Sequence, residues 1–154
     1  MKDNFNQIIQ ETYDGKVIDP SYVRFRGMKS IVINVASECG YTDNNYKDIF
    51  KFATKMKDKV SIYLYPSNDF GGQEPKDESE IAKFCDKYGV LDLYPTVKLM
   101  NKISVKDSEL FNFFQKYLIN TDGTLWGFMF PEEMISEDKS IEEWCNNMEI
   151  IKDY

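Results

Sequence analysis

The chain contains no histidine. Without an imidazole there can be no Cys-His protease, no Ser-His-Asp hydrolase and no His-ligated metal centre. Cysteine is scarce. Cys39, Cys85 and Cys145 are odd in number and far apart, with no CxxC, so no disulfide framework of the secreted kind is expected. The acidic residues fall in no loop with ligand spacing, so neither a metal nor another cofactor is expected. There is no run of ~18 apolar residues, hence no membrane span, and Met1–Asn6 lacks the apolar core of a signal peptide. A soluble intracellular protein, in the cytoplasm, is the expectation. The basic residues form no stripe and the net charge is −7, which excludes non-specific nucleic-acid binding. Repeats, low-complexity segments and linkers are also lacking, so the 154 residues are read as one domain, 1–154.

What is present is apolar and well patterned: 42% of residues are hydrophobic and 15% aromatic. Tyr13-Asp14-Gly15-Lys16-Val17 reads as a tight turn inside a hairpin between Gln7 and Ile18. Lys29–Val35 and Val60–Tyr65 are near-continuous β-branched and aromatic runs, as in strands buried on both faces. Between them Tyr46, Ile49, Phe50, Ala53 and Met56 recur at helical spacing, predicting an amphipathic helix over 44–57. Strand, helix and strand make a parallel βαβ unit with a right-handed crossover. The Lys51, Lys55, Lys57 and Lys59 set reads as a solvated face.

Downstream, Asp77 with Glu80 makes a capping box for a helix that ends near Gly89 and aligns Ile81, Cys85 and Tyr88 on one face. Tyr94–Leu99 reads as a strand, and Ser108–Gln115 as a short helix. Tyr117–Phe128 is a hairpin turned at Asp122-Gly123. A last helix over 140–151 carries Ile141, Trp144, Cys145, Met148 and Ile151 on one face, with Cys145 read as core. The sum is an α/β domain of the thioredoxin-like kind: a central mixed β-sheet flanked by helices, with an N-terminal β-hairpin.

Cys39 stands where the first buried strand breaks into small residues, directly ahead of a helix. Unpaired N–H groups and the helix dipole stabilise a thiolate at such a place. In a chain without histidine, activation must come from the backbone and from uncharged donors.

The segment Asn34-Val35-Ala36-Ser37-Glu38-Cys39-Gly40-Tyr41-Thr42 resembles the active-site segment of the glutathione peroxidase family. Tyr65-Pro66-Ser67-Asn68-Asp69-Phe70-Gly71-Gly72-Gln73-Glu74-Pro75 resembles its second signature, a helix and a strand further on. The resemblance implies a peroxidase in which the Cys39 thiolate attacks a hydroperoxide oxygen. It also implies that Gln73 points an amide N–H at the reacting atoms, a field supplied without a titrating group. The family's Trp-Asn pair finds its nearest match at Phe111-Asn112, which makes Asn112 a candidate third donor; phenylalanine cannot replace the indole N–H. Trp126 is read as packing. Asp69 and Ser67 depart from the residues many relatives carry there.

Glu80–Cys85 resembles the resolving-cysteine segment of members whose internal disulfide thioredoxin reduces. The partners so implied are a hydroperoxide and thioredoxin, with glutathione as the alternative reductant of a one-cysteine enzyme; the segment from Pro95 to Asn112, shorter than the family usually shows, is similar to that of its short monomeric members and so implies a monomer. Two other readings stay open: Cys85 as a small core residue, and a catalytically degenerate sensor or partner-binding protein. Lys87–Leu99 also resembles the disulfide-isomerase pattern, in which a cis-proline precedes a central strand; with no second thiol beside Cys39, this points to shared fold rather than shared activity.

Overall fold

The two apolar runs form the spine of the protein. In the computed structural model, which describes residues 5–7, 10–37, 40–66, 77–101 and 115–148, β3 (Lys29–Val35) and β4 (Val60–Pro66) are buried along their whole length. They pair in parallel, with Ile31 opposite Ile62 and Asn34 opposite Tyr65. The connection between them is α2 (Thr42–Lys55). On the other side of β3 lies β6 (Lys116–Ile119), antiparallel, followed by the edge strand β7 (Leu125–Met129). With β5 (Val97–Leu99) parallel to β4, the order is β5-β4-β3-β6-β7, a mixed five-stranded sheet.

Alternation along the strands builds two cores. Ile31, Ile33, Val35, Ile62 and Leu64 face α2, α3 (Glu78–Asp86) and α4 (Lys139–Asn146), whose Phe52, Ile81 and Ile141 close that side. Val32, Tyr63, Tyr65 and Tyr117 point the other way, toward Phe5, Ile18 and Met100. The short α1 (Val23–Arg26) ends at Gly27, whose φ of 69° continues into β3 at no Cβ cost.

The N-terminal hairpin is present as β1 (Gln10–Glu11) and β2 (Val17–Ile18), turned where Thr12 Oγ1 donates to Asp14 Oδ1 and Lys16 N donates back to Thr12 Oγ1. It shields the β5 edge: Tyr13 N donates to Leu99 O and Asn101 N to Glu11 O. Asp77 caps α3, its Oδ1 accepting from Glu80 N at 2.9 Å. The β6–β7 turn is fixed by Asp122 Oδ1, which accepts from Thr124 N and Oγ1.

Three expectations need correction. The helix predicted over 44–57 occupies Thr42–Lys55, and Phe50 is 40% exposed rather than core. Its ring lies over the turn after α3 instead, where a Cβ added to Gly89 would meet Phe50 Cε2 at 3.0 Å. The last helix stops at Asn146, because Asn147 (φ −80°, ψ 75°) leaves the helical region. Asparagine offers the backbone local bonds that compete with a helix, and Met148 is left 39% exposed. The Tyr94-Pro95 bond is cis, yet the strand that follows it lies at the sheet edge, separated from β3 by β4, and is not central. Trp126 does pack, stacked on Trp144 at 4.7 Å. Residues 108–114 of the expected short helix lie outside the described residues.

Candidate functional site

Parallel strands in an open sheet deliver their loops to one end, and ligands bind beyond the carboxyl ends of such strands. β3 ends at Val35 and β4 at Pro66, so both motif segments depart from that end. Cys39, Gln73 and Asn112 themselves lie outside the described residues. The frame around Cys39 is described: Thr42, the first residue of α2, donates through Oγ1 to Ala36 O at 2.7 Å, and Asn45 N and Nδ2 both donate to Tyr41 O. These bonds tie the N-terminal turn of α2 to the backbone on either side of the thiol's position.

Cys85 is described in full. It sits on the inner face of α3, fully buried in the first core. Its Sγ donates to Tyr46 Oη at 3.4 Å, which joins α3 to α2. Tyr46 is itself fully buried; it stacks on Tyr88 (centroids 5.1 Å apart, 17°) and meets Phe84 edge-on at 5.8 Å. At the surface, Tyr88 Oη donates to Asp43 Oδ1 at 3.1 Å, and Lys47 pairs with Asp43 at 2.8 Å. The Lys47 ammonium and the Tyr88 hydroxyl hold the Asp43 carboxyl below its usual range. Burial, with the Asp43 bond second, raises the Tyr88 phenol.

The sequence placed Ile81, Cys85 and Tyr88 on one face, but nothing in it paired Cys85 with Tyr46 or Tyr88 with Asp43. The available signal was that Asp43, Tyr46 and Lys47 share one face of α2. The two pairs form a clasp over the thiol. Tyr88→Phe removes one bond to an exposed carboxylate while leaving the ring stack. Native-state alkylation of Cys85, followed by mass spectrometry, is expected to quicken. An unchanged rate would show that the clasp does not hold α3.

Cys145 is also fully buried, and burial pushes its thiol up to about 12, so it is inert at neutral pH. Among the described residues, no group of three or more His, Cys, Asp or Glu is placed to hold a metal ion. No described helix is long and apolar enough to cross a membrane.

Two polar residues inside α2's buried side were missed by the sequence reading. Asp48 accepts from Ile135 N (2.6 Å), Ser136 N (3.0 Å) and Ser136 Oγ (2.5 Å). Asn45 Nδ2 donates to Pro131 O at 3.0 Å. With Lys116, whose Nζ donates to the carbonyls of Phe130, Pro131 and Glu133, they clamp the segment after β7 onto α2.

Comparison with known proteins gives a consistent result. A family model described as glutathione peroxidase matches residues 5–119. Glutathione peroxidase 7 of Mus musculus is 32% identical over 149 residues, covering 84% of this chain and 79% of its own. Probable glutathione peroxidase 8 of Homo sapiens is 33% identical over 142 residues, covering 81% of this chain and 66% of its own. Among solved structures, that of apo Trgpx superposes with a TM-score of 0.65 over 96% of this chain and 99% of that one; at 21% identity it speaks for the thioredoxin-like fold alone.

Proposed function

Because the chain belongs to the glutathione peroxidase family, and with it to the peroxidase class of oxidoreductases, we propose that it reduces hydroperoxides through Cys39 and regenerates through Cys85. In the first step the Cys39 thiolate attacks one oxygen of ROOH. The O–O bond breaks, Cys39 becomes a sulfenic acid, and the departing alkoxide takes a proton to leave as ROH. Gln73 and Asn112 donate to the oxygen on which charge develops. In the second step the Cys85 thiolate attacks the sulfenic sulfur, the S–S bond forms as the S–O bond breaks, and the expelled hydroxide takes a proton to leave as water. Thioredoxin, a dithiol, then reduces that disulfide by exchange. The setting proposed is cytoplasmic and the unit a single-domain monomer.

The observation that carries the two-cysteine form is the placement of Cys85. It is a buried thiol on a nine-residue helix, clasped by side chains at the start of α2. A disulfide needs Cα atoms within about 7 Å, and a buried Cys85 must first leave the core. A short helix held by surface bonds is a segment suited to local unfolding.

The test is peroxide consumption with thioredoxin or with glutathione, for wild type and Cys85→Ser. Thioredoxin-supported turnover is expected in wild type and background in the variant, with a Cys39–Cys85 disulfide after one equivalent of peroxide by non-reducing mass spectrometry. Equal glutathione-supported rates in both proteins would overturn Cys85 as the resolving thiol. No consumption with either reductant would overturn the peroxidase itself.

A further inference from the structure

Asn34 and Tyr65 are partners across the parallel β3–β4 ladder, each next to last in its strand. Partners in register share a face, and alternation puts both on the side of Val32, Tyr63 and Tyr117. Asn34 is 0% exposed and Tyr65 5%. Neither Asn34 Nδ2 nor Oδ1, nor the hydroxyl of Tyr65, has a hydrogen-bond partner among the described residues. Burial alone raises the Tyr65 phenol, with no bonding partner contributing.

In the polar cluster on the same face the Tyr63 hydroxyl also lacks a hydrogen-bond partner among the described residues, but the amine beside it is fully used. There Lys98 Nζ donates to Tyr22 Oη, Ser61 Oγ and Pro95 O at 2.7, 2.7 and 2.6 Å, so all three of its protons are used. Buried polar atoms in native proteins nearly always find a partner, and a site with two or more of them adjacent is one that a small molecule satisfies. An amide offers one donor group and one acceptor, a phenol either. Tyr65 and Asn34 carry no charge, so the set does not call for an ion.

We infer that Asn34 and Tyr65 form a binding site for a small neutral hydroxylic molecule, one whose oxygen both donates and accepts, at the carboxyl end of β3 and β4. Water and hydrogen peroxide share that chemistry. A resident water would be structural. Occupation by peroxide would make the pair positioning residues for the substrate, and that arm alone rests on the proposed peroxidase activity. It would also mean that the site favours hydrogen peroxide over organic hydroperoxides, since hydrogen peroxide brings two hydroxyl groups to the amide and the phenol and an organic hydroperoxide brings one.

Three measurements on Tyr65→Phe and on the near-isosteric Asn34→Leu test this. Oxygen-17 magnetic relaxation dispersion counts long-lived internal waters and needs no activity; a resident water predicts one fewer in each variant. Steady-state kinetics read the substrate arm. A peroxide site predicts a KM for hydrogen peroxide raised about tenfold, with kcat and the KM for cumene hydroperoxide within twofold. The urea midpoint reads the dry alternative: if the three atoms are truly unsatisfied, their removal raises the midpoint. Loss of one water, or the selective KM shift, supports the site. An unchanged water count with unchanged KM, or a raised midpoint in both variants, overturns it. Two variants on different strands keep the result readable if one misfolds, and the water count stands even in a protein without peroxidase activity.

Discussion

Cys39→Ser is expected to abolish peroxide reduction, with turnover falling by at least about a thousandfold, as when a sole nucleophile is removed. Serine places an oxygen where the sulfur stands, but an alkoxide that attacked the peroxide would only form another O–O bond; the two electrons that reduce the peroxide come from sulfur, which is oxidised to the sulfenic level. Nor can another thiol substitute. Cys85 and Cys145 are both fully buried, and the Cys145 thiol is pushed up to about 12. The thiolate, not the thiol, is the nucleophile, so at neutral pH Cys145 is silent. The measurement is hydrogen peroxide consumption at saturating reductant, wild type against variant, with the far-ultraviolet spectrum as fold control. Activity within tenfold of wild type in a folded variant would remove Cys39 from the mechanism. The Cys85→Ser variant then separates the two halves of the cycle, since it should still react once with peroxide.

The largest stability effect is expected at Asp48. Its carboxylate is 6% exposed and accepts from Ile135 N, Ser136 N and Ser136 Oγ. Asp48→Ala leaves two backbone N–H groups beside a buried segment without an acceptor, and it removes a negative charge that favours the Lys116 ammonium. Each unsatisfied group costs about 1–3 kcal/mol, so a loss of about 3–4 kcal/mol is expected, or a Tm lower by roughly 6–14 °C in a chain of this size. Calorimetry measures it; a drop below about 2 °C would mean that the segment after β7 does not depend on this clamp.

The same clamp has a pH signature. Burial depresses Lys116 from 10.5 to about 8, against the opposing pull of Asp48, Glu133 and Glu132. Between those values the unfolded chain keeps the Lys116 proton and the native state gives it up. The unfolded state then binds more protons, so this group makes stability rise with pH from about 8 toward 10.5, with no slope below 8. Cys145 acts oppositely above about 9, because its raised native value leaves the unfolded thiol to ionise first. That contribution is common to wild type and Lys116→Met. The wild-type urea midpoint should therefore gain on that of the variant between pH 7.5 and 9.5. A constant difference would show that Lys116 keeps its proton throughout.

The elements of this fold are written locally. Two continuous β-branched runs could only be buried strands, Gly15 and Gly123 with φ of 85° and 87° could only be turns, and Asp77 could cap α3 because its acceptor lies three residues from the N–H it serves. The family is equally local, carried by two stretches of about ten residues each whose order and spacing need no coordinates. Where local pattern misled, it did so at faces and ends: periodicity put Phe50 and Met148 on apolar stripes, but only packing decides which turn of a helix meets the core.

What the tertiary structure decided are the meetings between distant residues. Tyr46 sits over Cys85, 39 positions away; Asp48 holds Ile135 and Ser136; Asn34 faces Tyr65. None of these follows from a period of 2 or 3.6, because strand register and the docking of α2 on the sheet set them, and both are minimised over the whole chain at once. The sequence by itself determined the family, and with it the peroxidase class of the chemistry, because both signatures are local stretches that need no coordinates. Only the fold decided what surrounds Cys85, because the hydrogen bond to Tyr46 and the Tyr88–Asp43 bond above it join two helices far apart in the chain.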